Sequence, residues 1–178
     1  MTWMNNDGLY VRYGVNEAES ASGGAKKIYN GNHEVEFEIA FNDFNSATTA
    51  LPRTTDSFGV VIPKGARVEE VETVVQTAFT ASAGTVGAAT FVLGLKQASD
   101  RSTELDHDGF LTTSATGTAL GLATVGTKIV TRVGSTGAGA LLGTTLASNG
   151  VITVANSGHG TNTLNAGVLK VRVRYFYP

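Results

Sequence analysis

A chain of 178 residues, 42% hydrophobic and 16% charged, has the length of one domain and enough apolar content for a core, which excludes a disordered chain. A formal net charge of −2 and a pI near 5.9 exclude a nucleic-acid binder driven by bulk positive charge. The absence of cysteine excludes a disulfide framework, thiol catalysis and any cysteine-ligated zinc.

The start of the chain, Met1-Thr2-Trp3-Met4-Asn5-Asn6-Asp7, lacks the basic and apolar regions of a secretory leader, and no stretch approaches the roughly 18 apolar residues of a membrane span. The expectation is a product made soluble in the cytoplasm, with no membrane partner and no nucleic-acid partner. The 22 glycines, together with abundant threonine and valine, point to β-structure joined by tight turns.

In chain order, the first strand expected covers residues 9–13, behind the turn pair Asp7-Gly8. The second covers 35–41, where Val35, Phe37, Ile39 and Phe41 alternate with Glu36, Glu38 and Ala40 in the period-2 pattern of a half-buried strand. Residues 42–57 are polar and turn-rich, a linker between an N-terminal arm with the first strands (1–57) and a main body (58–178). Residues 58–62 lead into the turn Pro63-Lys64-Gly65.

The longest run, 68–81, places Val71, Thr73, Val75, Thr77 and Phe79 on one face and Glu70, Glu72 and Gln76 on the other; its β-branched density favours a strand over a helix. Further strands follow at 90–96, 128–133, 151–155 and 168–177, the last alternating Val171, Val173, Tyr175 and Tyr177 with Lys170, Arg172 and Arg174. Eight or nine strands with no strong helix predict an all-β antiparallel sandwich, of jelly-roll type because long loops separate uneven strands. The Thr/Ala/Gly-rich tract 112–148 reads as an extended loop packed on a neighbouring molecule, with a weak helical signal over 137–146. No Asp or Glu follows Asp108, so much of the last 70 residues is expected to be buried in the core or against other subunits.

The densest set of oxygen ligands is Asp106-His107-Asp108-Gly109, with Asp100 and Glu104 upstream. It lacks the third acid and distal glutamate of a calcium loop, and reads as a solvated turn before Phe110-Leu111. Gly134-Ser135-Thr136-Gly137-Ala138-Gly139 follows a strand but has neither the lysine of a phosphate loop nor a dinucleotide-binding context, so a packing or turn role is expected. His33, His107 and His159 form no local pair, and no nucleophile elbow occurs. No catalytic residues, cofactor or metal are assigned, and no enzymatic activity is expected.

Glu34, Glu36 and Glu38 are three acids on one side of a strand, more consistent with a solvated face than with the opposed carboxylates of a glycosidase. Lys170, Arg172 and Arg174 form the matching positive triplet. Directly opposed, within a sheet or across subunits, the six residues would form a ladder that sets register and partner choice, at about 0.2–1 kcal/mol per exposed pair.

The segments Gly8-Leu9-Tyr10-Val11-Arg12-Tyr13-Gly14, Ile62-Pro63-Lys64-Gly65-Ala66-Arg67-Val68 and Val71-Glu72-Thr73-Val74-Val75 resemble a structural protein of tailed bacteriophages, with a body similar to the jelly-roll cement or decoration proteins of phage heads. The resemblance runs over about residues 1–95 and the last strand, and finds no counterpart for 112–148. It implies a non-enzymatic homotrimer on the capsid exterior of the virion, clamping major capsid protein subunits. Trp3, Leu9, Tyr10, Arg12 and Tyr13 are then the candidate capsid contacts, since aromatic residues and arginine are favoured in interface cores. A phage tail-fibre or receptor-binding tip that grips a carbohydrate or host surface is the alternative.

Overall fold

The computed structural model describes residues 2–4, 10–12, 16–17, 25–29, 32–41, 60–100, 102–156 and 163–177, with side chains for 33–41, 60–100, 102–155 and 163–177. Its strands are β1 (Thr2–Met4), β2 (Tyr10–Arg12), β3 (Asn16–Glu17), β4 (Ala25–Tyr29), β5 (Asn32–Ala40), β6 (Val61–Ile62), β7 (Arg67–Ala83), β8 (Phe91–Gln97), β9 (Glu104–Leu111), β10 (Lys128–Arg132), β11 (Gly150–Asn156) and β12 (Thr163–Phe176). A short 3-10 turn spans Val86–Ala88.

The strands β1 and β2 pair as a ribbon. The others form a six-stranded sheet in the order β10-β7-β12-β5-β4-β3 and a four-stranded sheet in the order β6-β11-β8-β9, and every pairing is antiparallel. Counted from β5, eight strands divide between the sheets in the orders 6-3-8-1 and 2-7-4-5. The fold is the expected all-β antiparallel sandwich.

Period-2 alternation explains which faces meet. Val35, Phe37 and Ile39 of β5, Leu169, Val171, Val173 and Tyr175 of β12, and Val71 and Val75 of β7 supply one wall of the core. Phe91, Leu93 and Leu95 of β8, Phe110 of β9, and Ile152 and Val154 of β11 supply the other. Phe79 and Phe91 join the two walls edge to face, with ring centroids 5.6 Å apart.

Three expectations are corrected. Thr77 does not share the inward face of Phe79: register shifts where β7 runs past β12 turn Thr77 outward and leave Phe79 buried. Residues 106–109 are not a turn but belong to β9, a strand bulged against β8. The tract 112–148 contains no helix over 137–146, and it packs on the molecule's own core. Ala115, Leu120, Leu122, Leu142 and Leu146 are buried in that core, and their backbone bonds to Phe91, Phe79 and Ala66 replace a regular ladder. The linker expected at 42–57 lies outside the described residues.

Candidate functional site

The outer face of the six-stranded sheet carries an array of opposed charges. The β5/β12 register sets Glu34 opposite Arg174, Glu36 opposite Arg172 and Glu38 opposite Lys170, so the two triplets face each other within one sheet. On its other side β12 meets β7, with Arg172 opposite Glu72 and Arg174 opposite Glu70. Beyond β7, the edge strand β10 brings Lys128 and Arg132 onto the same face. Alternation along each strand makes this possible, because residues two apart share a face while the apolar residues between them point into the core.

Arg172 is the hub. Its Nε donates to Glu36 Oε2 at 2.6 Å and its Nη1 to Glu72 Oε1 at 2.7 Å, so one planar guanidinium bridges three strands. Arg174 repeats the arrangement one row along, with Nε bonded to Glu34 Oε2 at 2.7 Å and Nη1 to Glu70. Lys128 Nζ lies 2.8 Å from Glu72 Oε2 and Arg132 Nε 2.7 Å from Glu70 Oε2, closing the array on the β10 side. Lys170 reaches Glu36 at 3.0 Å rather than its register partner Glu38, which is exposed.

Glu72 is only 1% exposed, yet it sits on the outer face, roofed by the cations around it. Burial works to raise its pKa, but hydrogen bonds and charge attraction from Lys128 and Arg172 outweigh that and hold it below the ordinary 4.5. Glu36 is held below 4.5 in the same way, with burial opposed by Arg172 and Lys170. The hydrogen bond to Glu36, against the opposing effect of burial, raises the pKa of Arg172.

These shifts fix the sign of the acid response. Below pH 4.5 the unfolded chain binds protons that the folded chain refuses at Glu36 and Glu72, so their contribution is complete above 4.5 and lost as pH falls through the depressed folded values. Urea denaturation at successive pH values is expected to give a contribution from these groups that is level down to about 4.5 and then declines. A Glu36→Gln/Glu72→Gln variant with as steep a decline as the wild type would refute the assignment.

Sequence reasoning singled out the β5 and β12 triplets but missed Glu70, Glu72, Lys128 and Arg132 as members. The signal was present: Glu70 and Glu72 alternate with core valines, and Lys128 and Arg132 are the only charges between Asp108 and Lys170. Among the capsid-contact candidates, Trp3, Tyr10 and Arg12 lie on the β1/β2 ribbon, where Trp3 is opposite Val11 and Tyr10 opposite Met4. Leu9 and Tyr13 lie outside the described residues.

The acidic group at β9 is held in a different way. Asp100 spends its carboxylate on the backbone N–H groups of Ser102 and Thr103 and on the Thr103 hydroxyl, which brings its pKa down to about 2. Ligand atoms of Asp106, His107 and Asp108 lie within 4.8 Å of one another, and His107 Nδ1 is 2.7 Å from Glu104 Oε1. Burial first, and then a hydrogen bond with Asp108, raise the pKa of Asp106. The glycine-rich segment plays the expected packing role: a methyl on Gly139 would overlap the carbonyls of Asp108 and Gly109.

At the far end of β12, His33 stacks on Tyr175 at 5.1 Å and meets Tyr177 edge-on at 5.2 Å, while the Arg67 guanidinium sits 5.9 Å from the centre of the Phe176 ring. Tyr175 belongs to the core and Tyr177 is 46% exposed.

No family model matches this chain, and no curated protein does. One similar solved chain belongs to a structure described as the acidic stable capsid of Helicobacter pylori bacteriophage KHP30. It is 16% identical, with a TM-score of 0.47, and the match covers 86% of this chain and 94% of that one. A likeness of that size does not establish a shared fold. Among the described residues no helix is long and apolar enough to cross a membrane.

Proposed function

We propose that this protein is a virion structural subunit of a tailed bacteriophage, a jelly-roll cement protein that docks on the capsid exterior as a homotrimer and acts by binding, without catalysis. The observation that carries the reading is the strand order, 6-3-8-1 in one sheet and 2-7-4-5 in the other. We read it as two interlocked Greek keys, the jelly-roll connectivity used by viral capsid and lectin domains. Fold alone does not assign function, so two further features are weighed with it. The sequence segments around Tyr10, Pro63 and Val71 resemble phage head proteins. The charge array binds β5, β12, β7 and β10 into one stiff face, a property suited to a part that bears load.

In this reading Trp3, Leu9, Tyr10, Arg12 and Tyr13, in the N-terminal arm segment (1–57), grip the major capsid protein, and the sandwich formed by β5 and the body (58–178) supplies the rigid mass. The protein is made in the cytoplasm of the bacterial host and ends in the virion. Purified protein is expected to co-sediment with expanded empty heads and to raise the temperature at which they disrupt, with Trp3→Ala/Tyr10→Ala weakening that binding at least tenfold. Absence of affinity for heads would overturn the proposal.

The aromatic group at the end of β12 favours a second reading, a receptor-binding tip. Exposed Tyr177 beside His33 offers a ring face to a sugar. Saturation-transfer NMR with host-surface glycans, lost on Tyr177→Ala, would favour it over the cement reading.

A further inference from the structure

By register, the charged residues of the six-stranded sheet alternate in sign from strand to strand across the described strands. One row of register partners runs Lys27, Glu34, Arg174, Glu70 and Arg132, which is plus, minus, plus, minus, plus across β4, β5, β12, β7 and β10. The neighbouring row runs Glu17, Ala25, Glu36, Arg172, Glu72 and Val130. Among the described residues the sheet therefore ends in a cationic strand at β10 and in the strand of Glu17 at β3. Six antiparallel strands is an even number, so a second copy set beside the first without turning over would meet β10 with a β3 of opposite direction.

The backbone of β10 is arranged for such a meeting. Val75 donates its N–H to Thr127 O at 2.9 Å and accepts from Gly126 N–H at 2.8 Å, so odd-numbered Val71 and Thr73 likewise turn their groups toward β10 and bond Thr131 and Ile129. Lys128, Val130 and Arg132 then turn theirs to the free edge. Ser135 takes both edge groups of Arg132, its Oγ accepting the Arg132 N–H at 3.0 Å and its N–H donating to Arg132 O at 2.9 Å, which leaves Lys128 and Val130, with which no other strand pairs among the described residues. The side chains of Lys128 and Arg132 are 55% and 68% exposed, so each keeps part of its cation free after pairing inward.

We infer that copies of this chain associate edge to edge, β10 of one against β3 of the next, with Glu17 of the partner subunit falling opposite Val130 between Lys128 and Arg132. The contact is heterologous, so it closes into a ring or propagates as a chain. An acidic strand on that edge continues the charge pattern, and its main-chain bonds satisfy the groups that β10 leaves open. The inference supplies a contact for the self-association that the capsid reading includes, but it does not rest on that reading, and its tests contain no heads.

The cysteine-free sequence allows a clean experiment. The chains Glu17→Cys and Val130→Cys are purified separately, mixed and oxidised. The two positions lie five strands apart in one chain, about 24 Å, too far for an internal disulfide. A mixed disulfide dimer is expected, with little from either chain alone. Sedimentation velocity of the wild type is expected to show assembly that weakens with salt. Glu17→Lys should weaken it at least tenfold, and so should Val130→Pro, which removes an outward N–H while sparing the β7 ladder. Circular dichroism melting shows whether each variant keeps its fold, and Glu17→Lys with the cysteine pair decides the matter should the proline variant unfold. A wild type that stays monomeric, or assembly that survives Glu17→Lys with no mixed disulfide, would overturn the inference.

Discussion

Replacing Arg172 with methionine is expected to destabilise the protein by about 2–3 kcal/mol, a fall in Tm of roughly 5–10 °C for a domain of this size. The size follows from what is left behind rather than from what is removed. An exposed ion pair is worth about 0.2–1 kcal/mol, and Arg172 is partly exposed, which sets the lower bound. Glu72, however, is buried, and without Arg172 it keeps only Lys128 at 2.8 Å and Arg174 Nη2 at 3.5 Å. Glu36 at the same time loses its 2.6 Å partner. Uncompensated buried charge costs about 3–5 kcal/mol when a partner is deleted outright, and the remaining cations reduce that. Arg172→Lys should fall between the two states, because one ammonium cannot send separate donors to Glu36 and Glu72. Lys128→Met should cost less, since Arg172 still bonds Glu72. Thermal melts of the three variants at pH 7 provide the measurement, and an Arg172→Met variant within about 0.5 kcal/mol of wild type would show that the array does not stabilise the sheet.

The array was legible in part because both of its outer triplets sit in regular strands, where period 2 fixes the face of every residue. The sequence pattern of β5 and of β12 needs no knowledge of the partner strand to be read. Its inner members were harder to see, because Glu70 and Glu72 gain meaning only once β7 is known to lie beside β12. Bulges defeated the same logic elsewhere. On β7 the register shifts turn Thr77 outward, and no local signal in Gln76-Thr77-Ala78 announces them. Strand β9 hid behind Asp106-His107-Asp108-Gly109, a sequence with the composition of a turn that is held extended by its pairing with β8. In the tract 112–148 the two-residue spacing of Leu120 and Leu122 and the four-residue spacing of Leu142 and Leu146 extend no further, and neither a strand nor a helix forms at these leucines. Turns and single backbone bonds to β7, β8 and the segment before β7 decide which of them reach the core, so burial there has no period to read.

Gly94→Ala is expected to cost about 3–4 kcal/mol, at the upper end of what single overpacking substitutions do. Two effects compete at this position. Alanine normally improves on glycine in a strand by about 0.5–1 kcal/mol, because it loses less backbone freedom on folding. Gly94 is not among the glycines with positive φ, so nothing in its own conformation opposes a side chain. The opposing effect is steric: a methyl there would overlap the carbonyl oxygen of Asp106 and the carbonyl group of His107. Both obstacles are backbone, in the part of β9 that bulges between the Leu93–Leu111 and Leu95–Asp106 pairs, so no side-chain rotation relieves them. The strand must move off β8, which also disperses the Asp106, His107 and Asp108 group. Gly126 is the control, since its surroundings are open and its φ is +82°, so alanine there bears only the conformational cost of about 1–2 kcal/mol. Urea denaturation of the two variants should rank Gly94→Ala as the more damaging, and amide exchange should show residues 104–109 losing protection first. Stability equal to wild type, with those amides still protected, would mean that β9 does not pack over Gly94.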